Sequence, residues 1–289
     1  MATLKDVLRK IGAVKKTQQI TRAMNMVAAA RLRSTQGKME NFEPYARKFS
    51  EVLENLASRI DPGIHPLLVA KEKISKVELL HFTADRGLCG SFNMNLIGKG
   101  EDWVKDQKAK GLDYGLTLVG KRGRDYFRRG NYQITTSHLS VYGSVDIAFV
   151  NQMTKDFTDR YMADEIDEVY MIYSRFVSMA RQEPTLVKLI PIEPPRSEEA
   201  TDSMAEYLCE PSANELLFEL LPKHVSVQIL NAFLQNETSE NAARMAAMDN
   251  ATKNCSEMVE NLTLVYNKAR QAAITAELMD IVGGAEALR

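Results

Sequence analysis

Apolar side chains recur at alternating steps of three and four along both ends of the chain, while the middle runs on a shorter period. From Lys223 to Val282 there is neither glycine nor proline. Within that stretch Met248, Ala251, Cys255, Met258, Leu262, Val265, Ala269, Ala272, Ala276 and Met279 keep the three/four step throughout. Such a step predicts a coiled-coil seam, because supercoiled helices meet about every 3.5 residues. As one helix the stretch would span roughly 90 Å. A second seam opens the chain at Leu4, Val7, Ile11, Val14, Gln18, Thr21, Asn25, Ala28 and Leu32, apolar at its ends and polar at its centre. Gly12 and Gly37 each cost that helix about 1 kcal/mol against alanine. Pro44 should kink or interrupt it, and Asp61-Pro62-Gly63-Ile64-His65-Pro66 ends it.

Between the seams, short apolar runs at Val77–Thr83, Leu116–Gly120, Tyr132–Thr136, Glu168–Tyr173 and Leu186–Ile192 predict strands. Amphipathic stretches near 93–110, 121–130 and 146–163 alternate with the first four, the pattern of a small, mostly parallel α/β domain. Pro191–Ala213 reads as a polar connector, and Pro222 is expected in the first turn of the final helix, where a missing N–H does no harm. The fold class is therefore mixed: a long antiparallel coiled coil of N- and C-terminal helices plus a central, Rossmann-like α/β domain. The expected divisions are 1–61 for the first helix, 62–195 for the α/β domain, 196–221 for a connector with a short helix, and 222–289 for the last helix, frayed at Gly283-Gly284.

Charge sharpens the picture only when it is read along the chain. The 289 residues carry a net charge of −1. Residues 1–36, however, hold eight Lys/Arg against Asp6 alone, and residues 237–289 hold eight acids against five bases. Opposite ends of opposite sign favour association of the terminal helices and leave a basic surface over. Three scattered cysteines argue against a disulfide framework. No run approaches the roughly 18–20 apolar residues of a membrane span, and the N-terminal segment merges into the helical pattern as mature sequence.

Catalytic patterns are sparse. Neither G-x-x-x-x-G-K-[ST] nor G-x-G-x-x-G occurs, and His65, His81, His138 and His224 are dispersed without zinc spacing. Cys89, in Thr83-Ala84-Asp85-Arg86-Gly87-Leu88-Cys89-Gly90-Ser91, could be a nucleophile at a strand end. The heavier expectation is a structural turn formed by Asp85, Arg86, Gly87, Cys89 and Gly90. The cluster Lys121-Arg122-Gly123-Arg124 with Arg128-Arg129 could hold an anion but is more often a solvated helix face.

Four strings, in three segments of the chain, carry a resemblance. Thr17–Ala29 (TQQITRAMNMVAA), Asp85–Gly90 (DRGLCG), and Glu240–Thr252 (ENAARMAAMDNAT) followed by Leu264–Leu278 (LVYNKARQAAITAEL) resemble the gamma subunit family of F-type ATP synthases, in the right order over nearly the whole chain. The resemblance implies a rotor rather than an enzyme. Its terminal helices would turn inside three α and three β subunits, coupling proton-driven rotation of a membrane c-subunit ring to conformational cycling of the β subunits. It implies an epsilon subunit as a further partner, no nucleic acid, and only indirect membrane contact at the cytoplasmic face of a bacterial inner membrane. No cofactor is expected on the chain itself, with ATP, ADP and Mg held by the α and β subunits. By the same resemblance Met24, Arg31, Arg33, Arg244, Gln271, Thr275 and Glu277 would meet the α/β ring. Tyr207 and Glu210 would meet the membrane ring, with Cys209 standing where an aromatic residue is expected. The competing readings are an α/β enzyme with a Cys89 nucleophile and a helical dimerisation arm, and a coiled-coil adaptor.

Overall fold

The computed structural model describes residues 3–57, 63, 65–143, 145–193 and 212–287. They form two compact units, one from Met1–Ala29 with Arg244–Arg289 and the other from Ala30–Ala243. Helix α1 (Leu4–Ala57) and helix α5 (Ala213–Ala287) each contribute to both.

In the first unit, Thr3 opens α1 with a reciprocal cap. Its hydroxyl accepts from the Asp6 N–H at 3.3 Å, and the Asp6 carboxylate accepts from the Thr3 N–H at 3.2 Å, satisfying two donors a helix start would otherwise leave unpaired. Leu4, Val7, Ile11, Val14, Gln18, Thr21, Asn25 and Ala28 are all buried or half-buried, as the spacing requires. The polar centre of that seam is paired rather than empty. Gln18 donates to Ser256 Oγ at 2.6 Å, Thr252 donates to Thr21 Oγ1 at 2.8 Å, and Asn25 donates to the Met245 carbonyl at 2.9 Å. On α5 the phase differs in part from the sequence expectation. Met248, Ala251, Cys255, Leu262 and Ala269 are withdrawn as expected, joined by Thr252, Ser256, Val259, Tyr266 and Ala273, whereas Met258, Val265 and Met279 are 52%, 54% and 67% exposed. At 258/259, 265/266 and 272/273 both neighbours are apolar or aromatic, so either can satisfy the step, and the inward choice is the second of each pair.

The second unit holds a five-stranded sheet in the order β3-β2-β1-β4-β5, with β1 Lys76–Phe82, β2 Asp113–Val119, β3 Ile134–His138, β4 Glu168–Phe176 and β5 Gln182–Ile190. Helices α2 (Phe92–Ala109), α3 (Lys121–Arg129) and α4 (Ile147–Met162) make the crossovers. The first four strands are parallel, and β5 returns antiparallel to β4. Both faces are covered, which is why β1 reads as an almost continuous apolar run. Val77, Leu79, Leu116 and Leu118 pack under Leu96, Trp103 and Val104 of α2 and Phe127 of α3. Leu80, Phe82 and Val119 pack under Val150, Met153 and Phe157 of α4, Leu217 to Phe233 of α5, and Leu53 and Leu56 of α1. Gly120, at φ 96°, turns β2 into α3 where a Cβ would lie 2.1 Å from the Thr83 carbonyl.

Three expectations about helix ends are corrected. The last helix starts at Ala213, nine residues before Pro222, and runs past Gly283-Gly284 to Ala287. A proline inside a helix costs about 3 kcal/mol, but Leu217 and Leu221 are fully buried on the sheet, and burial of each is worth about 1.5–3 kcal/mol. Packing therefore outweighs the proline. Helix α1 likewise continues through Pro44, flanked by Phe42, Tyr45 and Phe49 with ring centroids 5.6 and 5.9 Å apart.

Candidate functional site

The turn after β1 is built as a lock, not as a nucleophile's nest. Asp85 Oδ1 accepts from the Lys121 N–H at 3.0 Å and the Ser140 N–H at 3.2 Å, so a carboxylate of the chain itself sits at the N-terminus of α3. An anion would bind there only by displacing it. Arg128 and Arg129 are exposed, the solvated-face reading of the basic cluster. Cys89 is 1% exposed, and its sulfur accepts from Asn93 Nδ2 at 3.1 Å. Asn93 Oδ1 in turn accepts from the Ala84 N–H at 2.9 Å. His81, the nearest imidazole in sequence, has its Nε2 committed to the Leu96 carbonyl at 2.9 Å. Because a carbonyl only accepts, Nε2 carries the proton and Nδ1 is a bare, buried lone pair. Burial drives its pKa down to about 4, but no thiol is within its reach on these partners. Arg86 and Gly90 are exposed, as is Leu88 in the left-handed region at φ 62°.

The ring-facing candidates are spread over both units. Met24 is half-buried, Arg31, Arg33, Gln271, Thr275 and Glu277 are exposed, and Arg244 is 9% exposed. The Thr275 hydroxyl donates to the Gln271 carbonyl one turn back, at 2.9 Å. All eight cations among residues 1–36 are exposed. So are Leu264, Ile274, Leu278 and Met279, at 68%, 49%, 56% and 67%. Tyr207, Cys209 and Glu210 lie outside the described residues.

Sequence reasoning missed the feature that ties α5 to the sheet. Gln235-Asn236-Glu237-Thr238-Ser239-Glu240-Asn241 is a run of polar residues, and every one is buried or half-buried. Ser174 and Phe176 lie on β4 beyond the last β1 partner, His81 opposite Ile172. There Asn236 Oδ1 accepts from the Ser174 N–H at 3.1 Å, the Ser239 hydroxyl donates to the Ser174 carbonyl at 3.0 Å, and Gln235 Oε1 accepts from the Phe176 N–H at 2.8 Å. Asn236 also donates to the Tyr142 hydroxyl at 2.8 Å. Side chains of α5 thus continue the ladder of β4 where β1 stops. The available signal was a helix with no apolar position for two turns, which has no free face to give to solvent if it is packed all round.

Among the described residues no group of three His, Cys, Asp or Glu could hold a metal ion, and no helix is long and apolar enough to cross a membrane. The ATP synthase family model matches residues 3–288. The ATP synthase gamma chain of Syntrophobacter fumaroxidans is 53% identical over 291 residues, covering 100% of both chains. That of Syntrophus aciditrophicus is 47% identical, covering 100% of this chain and 99% of its own. A chain of the Euglena gracilis mitochondrial ATP synthase, from the OSCP/F1/c-ring structure, shares the fold at TM-score 0.67 and 20% identity, over 99% of this chain and 94% of that one. Cys89 is buried and the α3 terminus is occupied by Asp85, and with these matches from end to end the chain belongs to the gamma chains of ATP synthase, the non-catalytic central-stalk rotor subunits of that complex.

Proposed function

We propose that the helix pair of this gamma chain turns inside a head of three α and three β subunits, and that the α/β unit carries the epsilon subunit and the membrane c-subunit ring. The observation that carries the reading is the outward surface of the paired helices. Their seam is closed by its own hydrogen bonds, yet Leu264 and Val265 stay exposed beside it, and Ile274, Leu278 and Met279 stay exposed further along α5. An exposed apolar stripe of that length calls for a covering sleeve. The exposed cations of residues 1–36 fit acidic loops on such a sleeve, with Met24, Arg31 and Arg33 among the contacts. Arg244, Gln271, Thr275 and Glu277 supply polar contacts along α5. Tyr207 and Glu210 serve the membrane ring. Nucleotides and Mg belong to the α and β subunits, and the complex works at the cytoplasmic face of a bacterial inner membrane.

Each orientation of an asymmetric shaft must favour one conformation of each β subunit over the others. The test is Glu277→Lys in the whole complex, in inverted membrane vesicles. The expected result is ATP-driven proton pumping reduced at least three-fold per ATP hydrolysed, with the complex still assembled. Pumping per ATP equal to wild type would remove Glu277 from the ring contact.

A further inference from the structure

The strand order reverses between β1 and β4, the crevice where open parallel sheets take their ligands. Here that crevice holds the chain's own helix. From the bonds of Gln235, Asn236 and Ser239 to Ser174 and Phe176 we infer that these three side chains act as a spline, setting the rotation of α5 about its own axis against the sheet. The inference rests on the rotor reading, since a spline matters only where twist is transmitted.

Apolar contacts such as Phe82 on Phe233, with centroids 4.8 Å apart, are non-directional and tolerate a small turn of the helix. The spline does not. At 3.6 residues per turn, positions 235, 236 and 239 lie within an arc of about 100°. A turn of about 20° moves polar atoms at about 5 Å from the axis by nearly 2 Å, enough to open bonds of 2.8–3.1 Å. Their partners are backbone atoms of a paired strand, which cannot swivel to follow. Toward α1, beside a cavity of about 320 Å³, Glu237 is held by the Gly143 N–H and by the charges of Lys38 and Arg31, and charge attraction is less tied to one angle than the bonds to the strand. The sheet side therefore carries the torsional stiffness.

The measurement is the angular fluctuation of a probe on the α/β unit, attached at Lys105→Cys in a Cys209→Ser/Cys255→Ser background. The assembled head is held by its β subunits and stalled between ATP turnovers. Asn236→Ala/Ser239→Ala should at least double the angular variance while leaving ATP hydrolysis within two-fold. Thr238→Ala is the control. It removes a buried hydroxyl bonded only to the Leu234 carbonyl of α5 itself, so it should cost stability and leave the variance unchanged. Should the double variant not assemble, Gln235→Leu, half-buried, must show the same widening to a smaller degree. An unchanged variance in an assembled spline variant, or equal widening in Thr238→Ala, overturns the spline. A wild-type probe that never rotates under ATP overturns the rotor reading instead.

Discussion

Acid should unfold the α/β unit well above the range in which its carboxylates titrate, and His81 and His224 should cause it. His81 has no exposed surface and sits between Gly100 and Gly123, where a Cβ on Gly100 would come within 2.9 Å of its ring. His224 is stacked on Phe49 and held near Gln228, with its own Nδ1 unpaired. Burial lowers both pKa values to about 4, against about 6.5 in the unfolded chain. The unfolded state therefore takes up protons first as pH falls. The stabilisation is complete above about pH 6.5 and is lost progressively down to about pH 4. Over that interval each histidine withdraws about 3.4 kcal/mol, at about 1.36 kcal/mol per pH unit. Together they withdraw about 7 kcal/mol, as much as many domains possess. His65 and His138, also lowered by burial, add in the same direction. Asp167, held at about 2 by backbone N–H groups of Ser75 and Lys76, gives up its share only below about pH 4. Urea unfolding between pH 6 and 4.5 should show a slope of about 2.7 kcal/mol per pH unit or more, falling by about 1.4 in His81→Gln. A slope in His81→Gln equal to wild type would refute the assignment.

Two other perturbations separate packing from pairing. Thr21→Val and Thr252→Val, made singly and together, should give a coupling energy of about 0.5–1.5 kcal/mol in a denaturation cycle, because each hydroxyl loses its cross-helix partner when the other goes. Zero coupling would mean the 2.8 Å bond does not form. Arg160→Ala should cost about 3–5 kcal/mol at pH 7, since it strips the guanidinium 2.9 Å from Glu78, which is 1% exposed. Thr117 and Thr135 would be left as the carboxylate's donors. A loss below about 1 kcal/mol in urea unfolding would show that Glu78 does not depend on the pair.

Strands β1, β2 and β4 were legible because each lies largely between covered faces and carries an apolar run no helix of that length needs, whereas β3, exposed at three of its five positions, gave a weaker signal. The first seam was legible even through Gln18, Thr21 and Asn25, because the step of three and four persisted while the letters turned polar. The second seam misled at Met258 and Val265 for the opposite reason. Apolar side chains stand on both sides of the step there, and the outward ones read as core. Pro222 misled because a local penalty was weighed without Leu217 and Leu221, whose burial depends on a sheet distant in sequence. The spline was invisible as a site. Asn236 and Ser239 acquire meaning only because β4 outlasts β1, a difference in strand length that no local pattern records.

The central claim is that α1 and α5, pinned along a hydrogen-bonded seam, turn as one body. Thr21→Cys/Thr252→Cys replaces the hydroxyl pair at 2.8 Å with a disulfide, and rotation of the assembled head can be followed before and after oxidation. The locked rotor should turn under ATP at a rate within two-fold of the reduced one. Rotation that stops on oxidation and returns on reduction would show that the helices must slip past each other, and would contradict the account.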